Sequence, residues 1–285
     1  MLITPGTYKA TGGPLTLEPI GEAPPAQPQP SILRSKCGVH VGILDLTGPD
    51  GPARLDIYLK EIIAAGYKRV VRMDGDRRWG GGLAWWVEIA KVLRNNHFQL
   101  ILILDAGAWR NPEDMSSAAE VVSWAQQLIP VVGDLLIGVQ ATNEEWMDLK
   151  GLPRPSDTNE FRARHNAIVS KVKTLTKATV VWADAGTVES ILWIEKVIKA
   201  GGVIADGVSL HLYESGEFEL QRILEAIRGL FPANLFWLTE TNYPELHVPM
   251  CRRVGTPVDV EGGQIIVFSW NDKPYVLRPG GEPLP

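Results

Sequence analysis

This sequence of 285 residues has few of the residues that build metal centres or disulfide scaffolds. Its two cysteines, Cys37 and Cys251, fit no metal-ligand spacing and no disulfide framework, so we expect two free thiols. Its five histidines lie in separate segments, with no His-x-His pair and no His-Glu-x-x-His motif. The sequence therefore predicts no bound metal.

Long apolar runs and basic clusters are also missing. No run approaches the roughly 18 consecutive apolar residues of a membrane helix, so no membrane partner is expected. The chain has 28 basic and 33 acidic residues, a net charge of -5 and no basic cluster, which excludes the electrostatic footprint of a nucleic-acid partner. Residues 1–9 do not resemble a secretory signal. We therefore expect a cytoplasmic or virion-associated protein, and its oligomeric state stays open.

What the sequence does contain is a regular alternation of two patterns. Short apolar, β-branched runs are typical of strands buried on both faces. The eight runs are Gly38–Leu46, Arg69–Asp74, Leu100–Asp105, Leu135–Gln140, Thr179–Asp184, Gly207–Tyr213, Asn234–Glu240 and Gln264–Trp270. Most are separated by amphipathic segments of helical period. These segments are Pro52–Ala65, Leu83–Arg94, Pro112–Leu128, Thr158–Thr176, Val188–Ala200 and Glu217–Leu230.

Strand and helix alternating at intervals of roughly 30 residues form the βαβ unit, and eight such units predict an α/β fold, the (β/α)8 TIM barrel. A doubly wound open sheet is the alternative, but the Gly-x-Gly-x-x-Gly motif expected after an early strand is missing. Because residues 241–263 hold three prolines and three glycines, we expect helix 7 to be reduced. The Pro-rich end of the chain predicts that helix 8 is missing.

Residues 1–36 differ from the barrel in composition. They include the Pro-rich stretch 23–30, which is typical of an extended linker. Two interpretations stay open for the residues ahead of it: a small hairpin around Thr11–Pro14, or a loosely attached arm. We therefore divide the chain into an N-terminal arm with a Pro-rich linker, 1–36, and a catalytic barrel, 37–285.

Two glutamates stand out among the polar residues that close the strands, where active sites of such barrels gather. Glu144 follows the fourth run and Glu240 closes the seventh, so both point into one shared pocket. Hydrolysis of a glycosidic bond needs such a pair, one carboxyl protonated as general acid and the other ionised as nucleophile. A retaining enzyme holds the two carboxyl groups about 5–5.5 Å apart.

The motifs Thr142-Asn143-Glu144 and Thr239-Glu240 resemble those of the large clan of retaining (β/α)8 glycoside hydrolases, which includes cellulases, β-mannanases, β-xylosidases and β-1,3-glucanases. The resemblance implies that Glu144 is the acid/base and Glu240 the nucleophile. It also implies that Asn143 binds the sugar 2-hydroxyl. The individual family stays unassigned, since the third run ends in Asp105 without a nearby histidine.

Three further short motifs carry the same resemblance. Arg72 matches the arginine that supports the nucleophile and keeps it ionised. His211-Leu-Tyr213 matches a His-x-Tyr motif whose tyrosine is hydrogen-bonded to the nucleophile. Trp270 matches the tryptophan that forms the floor of the sugar-binding subsite next to the cleaved bond.

Ten tryptophans are present, more than an ordinary composition leads one to expect. Six lie within strand or helix patterns and are assigned to packing: Trp85, Trp86, Trp124, Trp182, Trp193 and Trp237. Four lie at or just past strand ends, where aromatic faces suit the apolar faces of sugar rings: Trp79, Trp109, Trp146 and Trp270. We include Asp105, Trp109 and Trp146 among the substrate-binding residues.

The sequence thus predicts a retaining β-glycoside hydrolase that acts on an oligo- or polysaccharide without a cofactor. Structural roles compete with this hypothesis, because Glu144 could cap a turn and Glu240 could form a purely structural ion pair with Arg72. The alternative function is a non-catalytic carbohydrate-binding or structural barrel module, for example of a phage particle or cell-wall assembly. A metal-dependent barrel hydrolase is a third hypothesis.

Overall fold

The structure is a computed structural model. It describes residues 8–10, 17–19, 34–42, 46–75, 82–105, 117–144, 158–213, 216–241 and 243–267. The chain divides into two compact units, Met1–Ser31 and Ile32–Pro285. In the first, strands β1 (Tyr8–Ala10) and β2 (Leu17–Pro19) pair in antiparallel register, with Tyr8 opposite Pro19. Residues 11–16, where the hairpin turn was expected, and the linker 23–30 lie outside the described residues.

Eight parallel strands close into a barrel in the second unit. In chain order they are β3 (Cys37–His40), β4 (Val70–Asp74), β5 (Gln99–Ile103), β6 (Leu136–Gln140), β7 (Thr179–Ala185), β8 (Gly207–Leu212), β9 (Leu235–Thr241) and β10 (Ile265–Val267). Each strand pairs with the next in the chain, and β10 pairs with both β9 and β3. This closure confirms the TIM barrel and rules out the open doubly wound sheet.

Seven helices alternate with these strands in the described part of the chain. They are α1 (Gly51–Ala64), α2 (Gly82–Asn95), α3 (Ala118–Val132), α4 (Thr158–Leu175), α5 (Val188–Lys199), α6 (Glu217–Leu230) and α7 (Pro244–Arg253), and a 3-10 turn, Arg34–Lys36, precedes β3. The short α7 confirms the reduced seventh helix. The described residues end at Val267, so the expectation that helix 8 is missing falls on residues outside them. The apolar length needed to cross a membrane is not reached by any helix in the described ranges.

The start of α3 was predicted wrongly. The sequence pattern placed it at Pro112, whereas the helix begins at Ala118 because Ser117 has extended backbone angles, φ -62° and ψ 156°. Ser117 and Glu120 form a capping box: the Ser117 hydroxyl accepts the Glu120 N–H at 3.3 Å, and the Glu120 carboxylate accepts the Ser117 N–H at 2.9 Å. This reciprocal pair satisfies two donors that a helix start leaves open.

A cluster of apolar side chains fills part of the barrel interior. Five strands contribute to this cluster: Val70, Ile101, Val181, Trp237 and Ile266. Trp237 fits only because Gly138 faces it, since a Cβ atom at Gly138 would lie 2.3 Å from the indole ring. Side chains of a strand alternate between its faces, so Arg72, two residues beyond Val70, also points inward and sits above this floor.

Candidate active site

Almost fully buried polar side chains lie at or near the carboxyl ends of the barrel strands. They are His40, Arg72, Gln140, Asn143, Glu144, Asp184, Ser209, His211 and Glu240, each at most 5% exposed. Strand register explains their proximity, because His40 is the partner of Arg72 across β3 and β4, and His211 is the partner of Glu240 across β8 and β9. Charged side chains are rarely buried to this degree unless they are paired.

The Arg72 guanidinium joins three strand ends. Its Nη1 donates to Glu240 Oε1 at 2.7 Å, its Nη2 to Asn143 Oδ1 at 2.6 Å, and its Nε to Gln140 Oε1 at 2.5 Å. Nη1 also lies 3.1 Å from His40 Nδ1. Arg72, Asn143 and Glu240 are therefore brought together as the sequence motifs predicted. The planar guanidinium fixes one oxygen of Glu240 and the amide of Asn143 in one plane.

The two glutamates are close, and His211 lies against both. Its Nδ1 is 2.7 Å from Glu144 Oε1 and 3.5 Å from Glu240 Oε1. One carboxylate oxygen of Glu144 lies within 4.8 Å of one oxygen of Glu240. Glu144 itself follows β6 in a left-handed conformation, with φ 49°, which turns its side chain back over the barrel.

Asp184 near the end of β7 completes this group. Its carboxylate accepts hydrogen bonds from Gln140 Nε2 at 2.9 Å, from the Glu144 backbone N–H at 2.9 Å, and from the Ser209 hydroxyl. Sequence analysis did not include Asp184, Gln140, Ser209 or His40 among the site residues. The available signal was that all four are polar residues within predicted strands, with Gln140 on the strand that leads to Glu144 and Ser209 two residues before His211.

Burial and neighbouring charge shift the protonation of three groups. Burial raises the pKa of Glu240 to about 7, although His211 and Arg72 act in the opposite direction. Burial lowers the pKa of His211, but the nearby carboxylates of Glu240, Asp184 and Glu144 outweigh it, so the net pKa is raised. Burial, Arg72 and His211 together lower the pKa of His40 well below its ordinary value. Arg72 therefore favours the ionised form of Glu240, but burial outweighs it.

The remaining predicted site residues fall in different places. Asp105, which directly follows β5, forms a buried ion pair with Arg164 on α4. Tyr213 directly follows β8 and is half-buried. Trp109, Trp146 and Trp270, like Trp79, lie outside the described residues. The six tryptophans assigned to packing are all buried, which confirms that part of the prediction.

The spacing of Glu144, His211 and Glu240 would suit a metal ion, since one ligand atom from each lies within 4.8 Å of the others. Those atoms already have partners: His211 Nδ1 contacts Glu144, and Arg72 donates to Glu240. A guanidinium 2.7 Å from a carboxylate oxygen repels a metal cation bound at that same oxygen. Among the described residues, this group is therefore better explained as a hydrogen-bonded network.

No protein-family model matches the sequence, and no curated protein matches it. Solved structures do resemble the chain. A β-mannanase from Streptomyces thermolilacinus is 18% identical, with a TM-score of 0.57 over 85% of this chain and 82% of that one. It also matches in its complex with mannohexaose, at a TM-score of 0.56 and 17% identity over 85% of this chain and 80% of that one.

Two further structures show the same likeness. The endo-1,4-β-mannanase from Rhizomucor miehei is 14% identical, with a TM-score of 0.54 over 81% of this chain and 85% of that one. A glycoside hydrolase family 5 enzyme from Prevotella bryantii, in complex with a xyloglucan tetradecasaccharide, is 11% identical, with a TM-score of 0.53 over 82% and 89% of the two chains. At these identities the likeness shows the fold: this chain has the barrel architecture of those glycoside hydrolases.

Proposed function

We propose that the protein is a retaining glycoside hydrolase that cleaves a β-linked oligo- or polysaccharide by double displacement. The observation that carries this proposal is the pair of buried glutamates with carboxylate oxygens within 4.8 Å of each other. That spacing suits a nucleophile and an acid/base on one anomeric centre, as in retaining enzymes, whose two carboxyl groups lie roughly 5–5.5 Å apart.

In the first step Glu240 attacks the anomeric carbon while Glu144 donates its proton to the leaving oxygen, and a glycosyl-enzyme ester forms. In the second step Glu144, now a carboxylate, takes a proton from water as the water attacks the same carbon. Sugar is released, Glu240 is again a carboxylate, and the proton is back on Glu144. No step needs a cofactor.

The surrounding residues support these two roles. Arg72 donates to Glu240 at 2.7 Å and so favours its ionised form, which is the attacking one. Arg72 also holds the Asn143 amide oxygen at 2.6 Å, which leaves the amide N–H group to bind a sugar hydroxyl. His211 at 2.7 Å orients the Glu144 carboxyl. Asp105 is engaged by Arg164, and a direct role in binding sugar would require that pair to open.

The substrate class follows from the fold likeness and stays within this proposal. Two of the similar structures are β-mannanases, and a third holds a xyloglucan fragment. We therefore propose β-mannan, β-glucan and xyloglucan as the first polymers to test. The oligosaccharide would extend across the carboxyl end of the barrel from the Glu144 and Glu240 pair.

Replacing Glu240 tests the proposal directly. Glu240→Ala removes the nucleophile, so turnover of any polymer cleaved by the wild type should disappear. Added azide should restore cleavage with the opposite anomeric configuration in the product, which NMR of the released sugar detects. Glu225→Ala on the exposed side of α6 is the matched control and should keep full activity. Wild-type turnover in Glu240→Ala would contradict the mechanism.

A binding module is the competing function, and one assay separates the two. In affinity electrophoresis, such a module would be retarded in gels that contain a polymer of the panel. It would not release reducing ends from that polymer. Buried paired carboxylates argue against it, because each carboxylate that is withdrawn from water costs free energy that sugar binding alone does not require. Binding without hydrolysis across β-mannan, β-glucan, xylan and peptidoglycan would favour the module.

A further inference from the structure

The backbone of β7 is strained next to the two glutamates. Ala183 and Asp184 have φ angles of 105° and 37°, and the pairing of β7 with β8 shifts register between Trp182 and Ala185. Positive φ is unfavourable for residues with a side chain and persists where the surroundings impose it. Of the four non-glycine residues with positive φ in the described ranges, three lie here: Ala183, Asp184 and Glu144.

The bulge turns Asp184 toward the site. A β-bulge re-aims the side chain of the strand in which it occurs. Here the carboxylate reaches the Glu144 backbone N–H at 2.9 Å, Gln140 Nε2 at 2.9 Å and the Ser209 hydroxyl. The Ser209 oxygen in turn accepts the Asp184 backbone N–H at 3.2 Å, so Ser209 is hydrogen-bonded to both the backbone and the side chain of Asp184.

This one carboxylate is linked to both glutamates. Toward Glu144 the link is direct, because the hydrogen bond to the Glu144 backbone holds that residue in its left-handed conformation. Toward Glu240 the link runs through two side chains, since Gln140 accepts from Arg72 and Arg72 donates to Glu240. Asp184 Oδ1 also lies 3.5 Å from His211 Nε2, on the opposite side of the imidazole from Glu144.

We propose that Asp184 is a positioning residue: its carboxylate fixes the backbone of the acid/base Glu144 and lies against His211, the imidazole that contacts the Glu144 carboxyl group. This inference rests on the proposed glycosidase function, and it adds a third carboxylate to the two that the mechanism uses. Asp184 itself touches no reacting atom.

The charged groups around Asp184 agree with this role. Glu144 follows β6, His211 lies on β8, Glu240 lies on β9, and Arg72 on β4 is reached through Gln140. The charge of Asp184 raises the pKa of His211, of Glu240 and of His165 on α4. Loss of that charge should therefore release protons from His211 and Glu240 at lower pH.

Asp184→Asn removes the charge at nearly constant size. The NMR titration of the His211 ring in the full chain, assigned by its loss in His211→Gln, should move to lower pH. Asp206→Asn is the matched control, because Asp206 also accepts a backbone N–H of β7, from Val180 at 3.0 Å, but lies at the opposite end of that strand. It should leave the His211 titration unchanged.

Kinetics on the polymer that the wild type cleaves provide a second measurement. In Asp184→Asn, kcat at pH 7 should fall roughly 10- to 100-fold, because Glu144 is no longer held in position. The loss should be smaller on a 2,4-dinitrophenyl glycoside, whose leaving group needs no proton from Glu144. Ser209→Ala keeps the Asp184 charge, so kcat should fall while the His211 titration stays in place.

The outcomes separate the inference from the proposed function. An inactive wild type would refute the proposed function. If the wild type is active and Asp184→Asn has the same His211 titration and the same kcat, the inference alone is refuted. Should Asp184→Asn fail to fold, Ser209→Ala decides, and wild-type kcat in that variant would overturn the positioning role.

Discussion

Replacing Glu240 by glutamine should make the protein's stability less dependent on pH. Burial raises the pKa of Glu240 from 4.5 to about 7, so the folded state binds a proton more tightly than the unfolded state. Its contribution to stability is therefore fully present below pH 4.5 and is lost as pH rises through 7. A shift of this size corresponds to roughly 3 kcal/mol at about 1.4 kcal/mol per pH unit. Glutamine does not titrate, so Glu240→Gln lacks this loss.

Urea denaturation followed by tryptophan fluorescence between pH 4.5 and 8 measures the effect. The free energy of unfolding of Glu240→Gln minus that of the wild type should rise by roughly 3 kcal/mol across this range. Loss of the charge partner of Arg72 lowers the free energy of unfolding at every pH. Because an arginine is charged throughout this range, it does not change how the free energy of unfolding depends on pH. Exposed Glu225→Gln should run parallel to the wild type. A difference for Glu240→Gln that does not change with pH would refute the reasoning.

Two other substitutions test the centre of the barrel. Arg72→Met removes the buried cation, so the pKa of Glu240 should rise further and kcat at pH 7 should collapse. Urea denaturation should show that the free energy of unfolding falls by about 3–5 kcal/mol. Near-normal stability at pH 8 would contradict this. Gly138→Ala places a Cβ atom 2.3 Å from the Trp237 ring and should cost about 1–3 kcal/mol by the same measurement. Gly229→Ala on α6, where a Cβ atom would meet nothing within 4 Å, should be neutral or stabilising, and equal effects of the two alanines would refute the packing argument.

The barrel could be predicted because each strand carries its own signal. A strand buried on both faces is largely apolar, so a run such as 100–103 is visible without knowledge of its neighbours. The start of α3 was missed because two competing start signals lay close together. Asn111-Pro112-Glu113 resembles a helix start, whereas the structure uses Ser117 and Glu120.

The candidate site was predictable only where a residue type itself suggests its chemistry. Glu144 and Glu240 were found because hydrolysis of a glycosidic bond needs a pair of carboxyl groups, and Arg72 because its motif resembles that of the retaining glycoside hydrolases. Asp184 was noticed at a strand end but received no role, because its hydrogen bonds depend on a bulge at Ala183 that no residue pattern announces. The raised pKa of Glu240 was beyond reach for a related reason, since burial is a property of the assembled barrel.

Charge balance connects the strained bulge to the chemistry of the site. Glu144, Asp184 and Glu240 supply three carboxyl groups, while Arg72 and a protonated His211 supply two positive charges. With every carboxyl ionised, one negative charge would stay unbalanced among side chains that are at most 4% exposed, and a buried unpaired charge is costly. One additional proton on the carboxyl groups removes it. The carboxylate of Asp184, which the bulge at Ala183 turns toward the glutamates, adds to this demand for a proton, and the same negative charge raises the pKa of Glu240 and of His211.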